Sequence, residues 1–203
     1  MERIQHMGQG ADTKERIMQA ALEEFSLHGF EGARMEKIAS KVGINKASLY
    51  FYFKSKEQLF RELFDIIVKK HYNYLTTIFH KYQDLPAREL LSSVYKDYLE
   101  YHWGNTEMDF WNMVYYYPPE QMKEEIIHFT QDSFDIFNAQ LTSVMKKGIE
   151  KKELQPLNPA DMAATFYYLV TCITLSTGLM SMEQGLRHMD SCFEIFWNGI
   201  KGV

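Results

Sequence analysis

RIMQAALEEFSLHGFEGARMEKIASKVGINKASLYFYFKSKEQLF, residues Arg16 to Phe60, decides how the rest of the chain is read. Ile17, Ala20, Ala21 and Phe25 recur at the three- and four-residue spacing of one helical face, and Gly29 stands where a helix needs a left-handed closing residue. A first helix is therefore expected to end at about His28. Met35, Ile38, Ala39 and Val42 share one side of a second, shorter pattern, with Lys37 and Lys41 on the other, and Gly43 supplies the positive φ that stops it. Asn45 caps a third helix, because its side-chain oxygen can accept a free N–H two or three residues on. The turn is thus Val42-Gly43-Ile44-Asn45. The small Ala39 lets two helices cross closely, and Ile44 with Leu49 can plug the junction, as a helix-turn-helix requires. Lys46, Ala47, Ser48, Tyr50 and Tyr52 are left over for solvent or a partner.

Charge points the same way. Ala33 to Lys56 holds six basic residues against the single acid Glu36, a local balance of +5 in a chain whose net charge is −5. Such segregation suits a protein that offers one positive face to a phosphate backbone and keeps the remainder of its surface acidic. A merely solvated bundle would be expected to mix its signs.

The stretch resembles the DNA-binding domain of the TetR family of bacterial transcriptional regulators. The resemblance is carried by Ala20-Ala21, Phe25, Gly29-Phe30, Ile38-Ala39, Gly43, Leu49-Tyr50, Tyr52-Phe53, Lys56-Glu57 and Leu59. It departs from the family pattern at Arg34, where a threonine usually caps the second helix and touches a phosphate, and at Ala47, where a glycine commonly opens the third. Arginine cannot cap through an oxygen, but it can reach a phosphate bidentately. In helix-turn-helix readers the second helix of the motif enters the major groove by its N-terminal end, so Lys46, Ala47 and Ser48 are the candidates for reading bases. Tyr50, one turn on, is placed for a thymine methyl or a phosphate. Tyr52, Lys54 and Lys56, with Arg34, are expected to hold phosphates, contacts that fix register without specifying sequence. One or both of Phe51 and Phe53 are expected in the core.

Length and composition bound the rest. The chain has 203 residues, 46% of them hydrophobic, enough for one sizeable core or two modest ones. Its two cysteines, Cys172 and Cys192, form no CxxC, so neither a disulfide framework nor a zinc site is indicated, and a reducing cytoplasm fits. The first twelve residues lack an apolar run and read as a flexible arm rather than a secretory signal. The expected organisation is all-α: an arm over 1–12, the DNA-binding domain over 13–57, and a helical effector-binding and dimerisation domain over 58–203. Helical patterns run from Lys56 to about His80, Pro86 to Trp103, Glu107 to Tyr117 and Glu120 to Lys152, with no strand pattern.

Met162 to Met182 carries no charge over 21 residues, but eight hydroxyls and Gly178 argue for a helix buried by its own subunit and by a second copy rather than one spanning a bilayer. Leu186, Met189, Phe193, Phe196, Trp197 and Ile200 then form an aromatic stripe on a last helix. In the family resembled, the last two helices build a four-helix dimer interface, which here would use Thr174, Gly178, Leu186, Met189, Phe193, Phe196 and Trp197. A homodimer addresses two successive grooves, so its double-stranded operator is expected to be nearly palindromic.

Nine of the 23 residues from Tyr95 to Tyr117 are aromatic, with Met108 and Met113 among them and acids nearby. A site for a small apolar or aromatic effector is lined in this way, as is an ordinary helical core. The candidate effector contacts are Glu100, Trp103, Phe110, Trp111, Met113 and Tyr115, with Phe137, Tyr168 and Cys172 from the helices that follow. No cofactor or metal is expected. Seven histidines are scattered, and no HExxH, GxSxG or glycine-rich phosphate loop occurs, so an enzyme is not indicated. The reading is a DNA-binding repressor released by an effector; the alternative is a helical interaction or scaffold protein without sequence-specific DNA binding.

Overall fold

The computed structural model describes residues 2–175 and 181–202, and the side chains of 12–172 and 181–202. The regular elements among the described residues are all helices, with a single isolated bridge between Leu154 and Lys201. The helices are α1 (Glu2–Gly32), α2 (Met35–Val42), α3 (Lys46–Tyr52), α4 (Lys56–Lys81), α5 (Ala87–His102), α6 (Thr106–Tyr116), α7 (Lys123–Glu150), α8 (Pro159–Leu175) and α9 (Met182–Ile200), with a 3₁₀ turn over Glu120–Met122. No helix among the described residues is long and apolar enough to cross a membrane.

The chain divides into two compact units, residues 1–70 with 106–127, and residues 71–105 with 128–203. The first unit therefore takes in more than the expected 13–57. Its core is the reason: Phe25 of α1 meets Phe60 of α4 edge-on with centroids 5.0 Å apart, and Phe110 of α6 closes on Phe60 at 5.2 Å. All three are fully buried. Three phenylalanines sharing one interior tie α6 to α1 and α4. α1 begins at Glu2, so the stretch expected to be an arm is helical. No proline interrupts it, and a helix can extend backward from a packed turn at little cost. At Gly29, φ +65° breaks the helical path where the sequence predicts a closing residue, and the helix resumes for only one further turn, to Gly32.

The second unit is a helical core in which Tyr95 and Tyr98 of α5 lie among Phe137 of α7, Phe166 of α8 and Phe193 of α9. Two glycines set the spacing. A Cβ on Gly185 would meet the Trp103 ring at 2.4 Å, and one on Gly148 would meet Leu154 at 2.6 Å, so an added methyl at either would force its neighbour to move. α9 opens with a capping box, Ser181 Oγ accepting from Gln184 N and Gln184 Oε1 accepting from Ser181 N.

Candidate nucleic-acid interface

α2 forms because Met35, Ile38, Ala39 and Val42 all bury, as their spacing predicts. Its end is closed by Gly43 at φ +78°: Gly43 N–H donates to Ser40 O at 3.1 Å and Ile44 N–H to Ala39 O at 3.0 Å. This double closure needs a left-handed residue, which glycine supplies without strain. Arg16 of α1 adds a donor to Val42 O at 2.5 Å. Asn45 then starts α3 in extended backbone, its Oδ1 accepting from Ser48 N at 2.8 Å. Leu49 is fully buried and holds α3 against the junction.

The N-terminus of α2 replaces the usual capping hydroxyl by a different device. Arg34 occupies the cap position without a side-chain cap, and its N–H instead donates to Glu24 Oε1 of α1 at 3.3 Å. Glu24 is buried, and Lys41 lies 3.8 Å from its other oxygen. The Arg34 guanidinium is therefore left exposed and free of that duty.

On the outer face Lys46 and Ala47 are exposed, while Ser48, Tyr50 and Tyr52 are half-buried. Lys46 pairs with Glu36 across the turn and sits 5.8 Å from the Tyr50 ring centroid. That hydrogen bond holds the Glu36 carboxyl below its ordinary range and lifts the Lys46 ammonium above its own. Both groups stand in solvent, so the pair is weak and readily exchanged for another partner. Lys54 is exposed, its ammonium 5.6 Å from the Phe51 ring and donating to Phe51 O at 3.4 Å.

Lys56 is placed differently from the other expected phosphate contacts. Its ammonium donates to Phe30 O at 2.7 Å, with Glu31 O at 3.4 Å and Ala33 O at 3.5 Å, and lies over the Phe30 ring at 4.5 Å. A cation on the last carbonyls of a helix complements the negative end of its dipole, so this lysine closes α1. Of the two phenylalanines, Phe53 is fully buried and Phe51 is 75% exposed. The register of α3 contains that result: with Leu49 inward, a residue two places on points to the opposite side. Phe51 and Lys37 are exposed on the same pair of helices and fall outside the set expected to touch DNA.

The residues expected around an effector are divided between the units. In the first, Phe110 is buried against Phe25 and Phe60, Trp111 stacks on Phe64 with centroids 6.3 Å apart, Met113 is half-buried and Tyr115 is exposed. In the second, Trp103 lies on Gly185, Phe137 is a core residue, and Glu100, Tyr168 and Cys172 are exposed. Among the expected dimer residues, Met189, Phe193 and Phe196 belong to the second unit's own core, and Leu186 and Trp197 are half-buried against it. The Thr174 side chain and Gly178 lie outside the described residues. The apolar residues left outward include Tyr168 of α8 and Ile195 of α9, 59% and 75% exposed, with Met182 at the start of α9 and Leu157 in the segment before α8 also exposed.

Buried and half-buried rings crowd the second unit along the C-terminal part of α4. Tyr74 stacks on Tyr101 at 3.8 Å, Tyr98 on His102 at 4.1 Å, and His71 meets His102 edge-on at 6.2 Å. His102 Nδ1 donates to Tyr98 O at 2.7 Å, as a neutral ring can. Burial pushes His71 down to about 3, with His102 adding to the effect, and pushes His102 down to about 4.

Residues 17–63 match the model of bacterial regulatory proteins, tetR family. The chain is 43% identical over 54 residues to the HTH-type transcriptional regulator YdgC of Bacillus subtilis, and 42% identical over 53 residues to the HTH-type transcriptional repressor SCO4008 of Streptomyces coelicolor. These alignments take in 27% and 26% of this chain and 28% of each relative, so the chain matches little more than a quarter of their length. Similarity of fold extends further. A chain from Saccharomonospora viridis, solved in complex with choline, superposes with a TM-score of 0.72 at 17% identity, covering 95% of this chain and 100% of that one.

Proposed function

We propose that this chain, a member of the TetR family of bacterial regulatory proteins, is a transcriptional repressor that binds a near-palindromic operator as a homodimer and is released by a small apolar or aromatic effector. One observation carries the reading: the outer face of α3 keeps Lys46, Ala47 and Phe51 exposed while Leu49 and Phe53 anchor the helix behind them. A capped, short helix whose base-facing end projects from a rigid turn is what major-groove entry requires. Lys46, Ala47 and Ser48 read base edges, and Phe51 and Tyr50 supply apolar contact to thymine methyls. Arg34, Lys37, Lys54 and Tyr52 hold phosphates.

Dimerisation is assigned to α8 and α9, where Tyr168 and Ile195 stand exposed beside a sealed core. Large exposed apolar side chains rimmed by polar ones are the usual mark of an interface. Release is assigned to a ligand of the second unit, where the rings of Tyr74, Tyr98 and Tyr101 gather. α4 contributes residues to both units and is the covalent path for the response.

Selection of duplexes from a random pool by the purified chain tests this directly. The expected product is one sequence with two related half-sites about one helical turn, or a multiple of it, apart. Enrichment of single unpaired half-sites would remove the dimer, and no enrichment at all would remove sequence reading.

A further inference from the structure

The second unit contains a cavity of about 300 Å³ that neither the DNA-facing helices nor the stacked rings use. It lies between the end of α4, the start of α5 and the end of α7. Phe79 and Leu90, both buried, and half-buried Val144 form its apolar wall. Gln140 and Ser143 add neutral polar groups, and Gln140 is fixed by donating to Leu75 O at 2.7 Å. The charged groups facing it are His80, Lys147, Lys151 and Glu153.

Their arrangement is unbalanced. Glu153 accepts from Ala87 N–H at 2.6 Å and so caps α5, where the positive end of the helix dipole engages its charge. Lys147 and Lys151 are one turn apart, Lys151 N–H donating to Lys147 O at 3.0 Å, and neither meets a carboxylate among the described residues. Like charges at this spacing repel, which a shared anion would reverse. A pocket with an apolar wall and two uncompensated ammonium groups at its rim is matched to a molecule of the same division.

We infer that this cavity binds a small amphipathic anion, its carboxylate or phosphate held by Lys147 and Lys151 and its apolar body laid against Phe79, Leu90 and Val144. The site is separate from the rings assigned to the effector and from the DNA-facing helices, so its occupation does not rest on operator binding.

The test is calorimetric titration of the full chain with decanoate, with 1-decanol as the uncharged probe. Saturable decanoate binding at least about tenfold tighter than decanol is expected, a difference of one charge-assisted contact. Lys147→Gln with Lys151→Gln should abolish that preference, and Ser143→Trp, a substitution at an exposed position, should block both probes. Circular dichroism and duplex binding, unchanged in both variants, separate loss of the site from loss of fold. Equal affinity for decanoate and decanol, or unaltered decanoate binding in both variants, overturns the inference. So does binding to phosphatidylglycerol vesicles with none to monomeric decanoate, which would mark a surface patch.

Discussion

The turn region, Arg34 to Lys56, and the aromatic stretch, Tyr95 to Tyr117, are both dense in chemistry, yet they give up their roles in opposite ways. In the first, backbone rules act within a few residues: Gly43 closes α2, Asn45 opens α3, and what those elements do not bury faces outward. In the second, the rings that settle burial meet partners far away in sequence. Phe110 goes to Phe25 and Phe60 in one unit, and Tyr98 goes to Phe137 in the other. Local capping can be read from neighbours, whereas the choice between core and cavity is made by elements that a periodicity does not identify.

The sharpest way to break this contrast is Phe110→Ala. As an interior residue of the first unit it is expected to cost about 3–5 kcal/mol, measured by urea unfolding, because a cavity is left where three rings met. A cost below about 1 kcal/mol would return Phe110 to the lining of a ligand site.

The buried histidines give the next largest effect. An unfolded histidine titrates near 6.5, whereas His71 and His102 in the fold sit at about 3 and about 4. The unfolded chain therefore takes up protons first as pH falls. This contribution to stability is complete above about pH 6.5 and is lost progressively towards pH 3–4. Between pH 7 and pH 5 the loss is about 2 kcal/mol for each histidine. His102→Asn should lose correspondingly less over that interval, and equal losses in parent and variant would contradict the burial of neutral rings.

A smaller effect tests the turn. Asn45→Ala removes the acceptor for Ser48 N–H and is expected to lower stability by about 1 kcal/mol, with a larger proportional loss of duplex affinity because the reading end of α3 frays. A neutral result would mean that Leu49 and Phe53 alone hold the helix.

The sequence made the all-α class, the helix-turn-helix and the main helix boundaries legible, because Gly43, Asn45, Pro86 and the Pro118-Pro119 pair are strong local punctuation. It made Leu49 and the buried face of α2 legible for the same reason. Lys56 was less so: its match to the family pattern suggested a phosphate, but its reach to Phe30 O depends on where α1 ends in space. The stripe on α9 shows a related limit. Met189, Phe193 and Phe196 had the periodicity of an interface, and an amphipathic period fixes which side is apolar without saying whether its own subunit or a second copy covers it. Phe51 was recoverable from the register of α3 once Leu49 was taken as inward. The 300 Å³ cavity had no local signal, since its lining comes from three separated segments.

The most direct measurement is the salt dependence of affinity for the selected duplex, followed by fluorescence anisotropy in the parent, Lys37→Ala and Lys54→Ala. The account predicts that log affinity falls linearly with log salt, and that each substitution lowers the slope by about 1 while leaving the preferred sequence unchanged. Slopes identical to the parent in both variants, or a chain indifferent to duplex DNA at low salt, would contradict the claim that the outer face of α3 and its flanking cations read the groove.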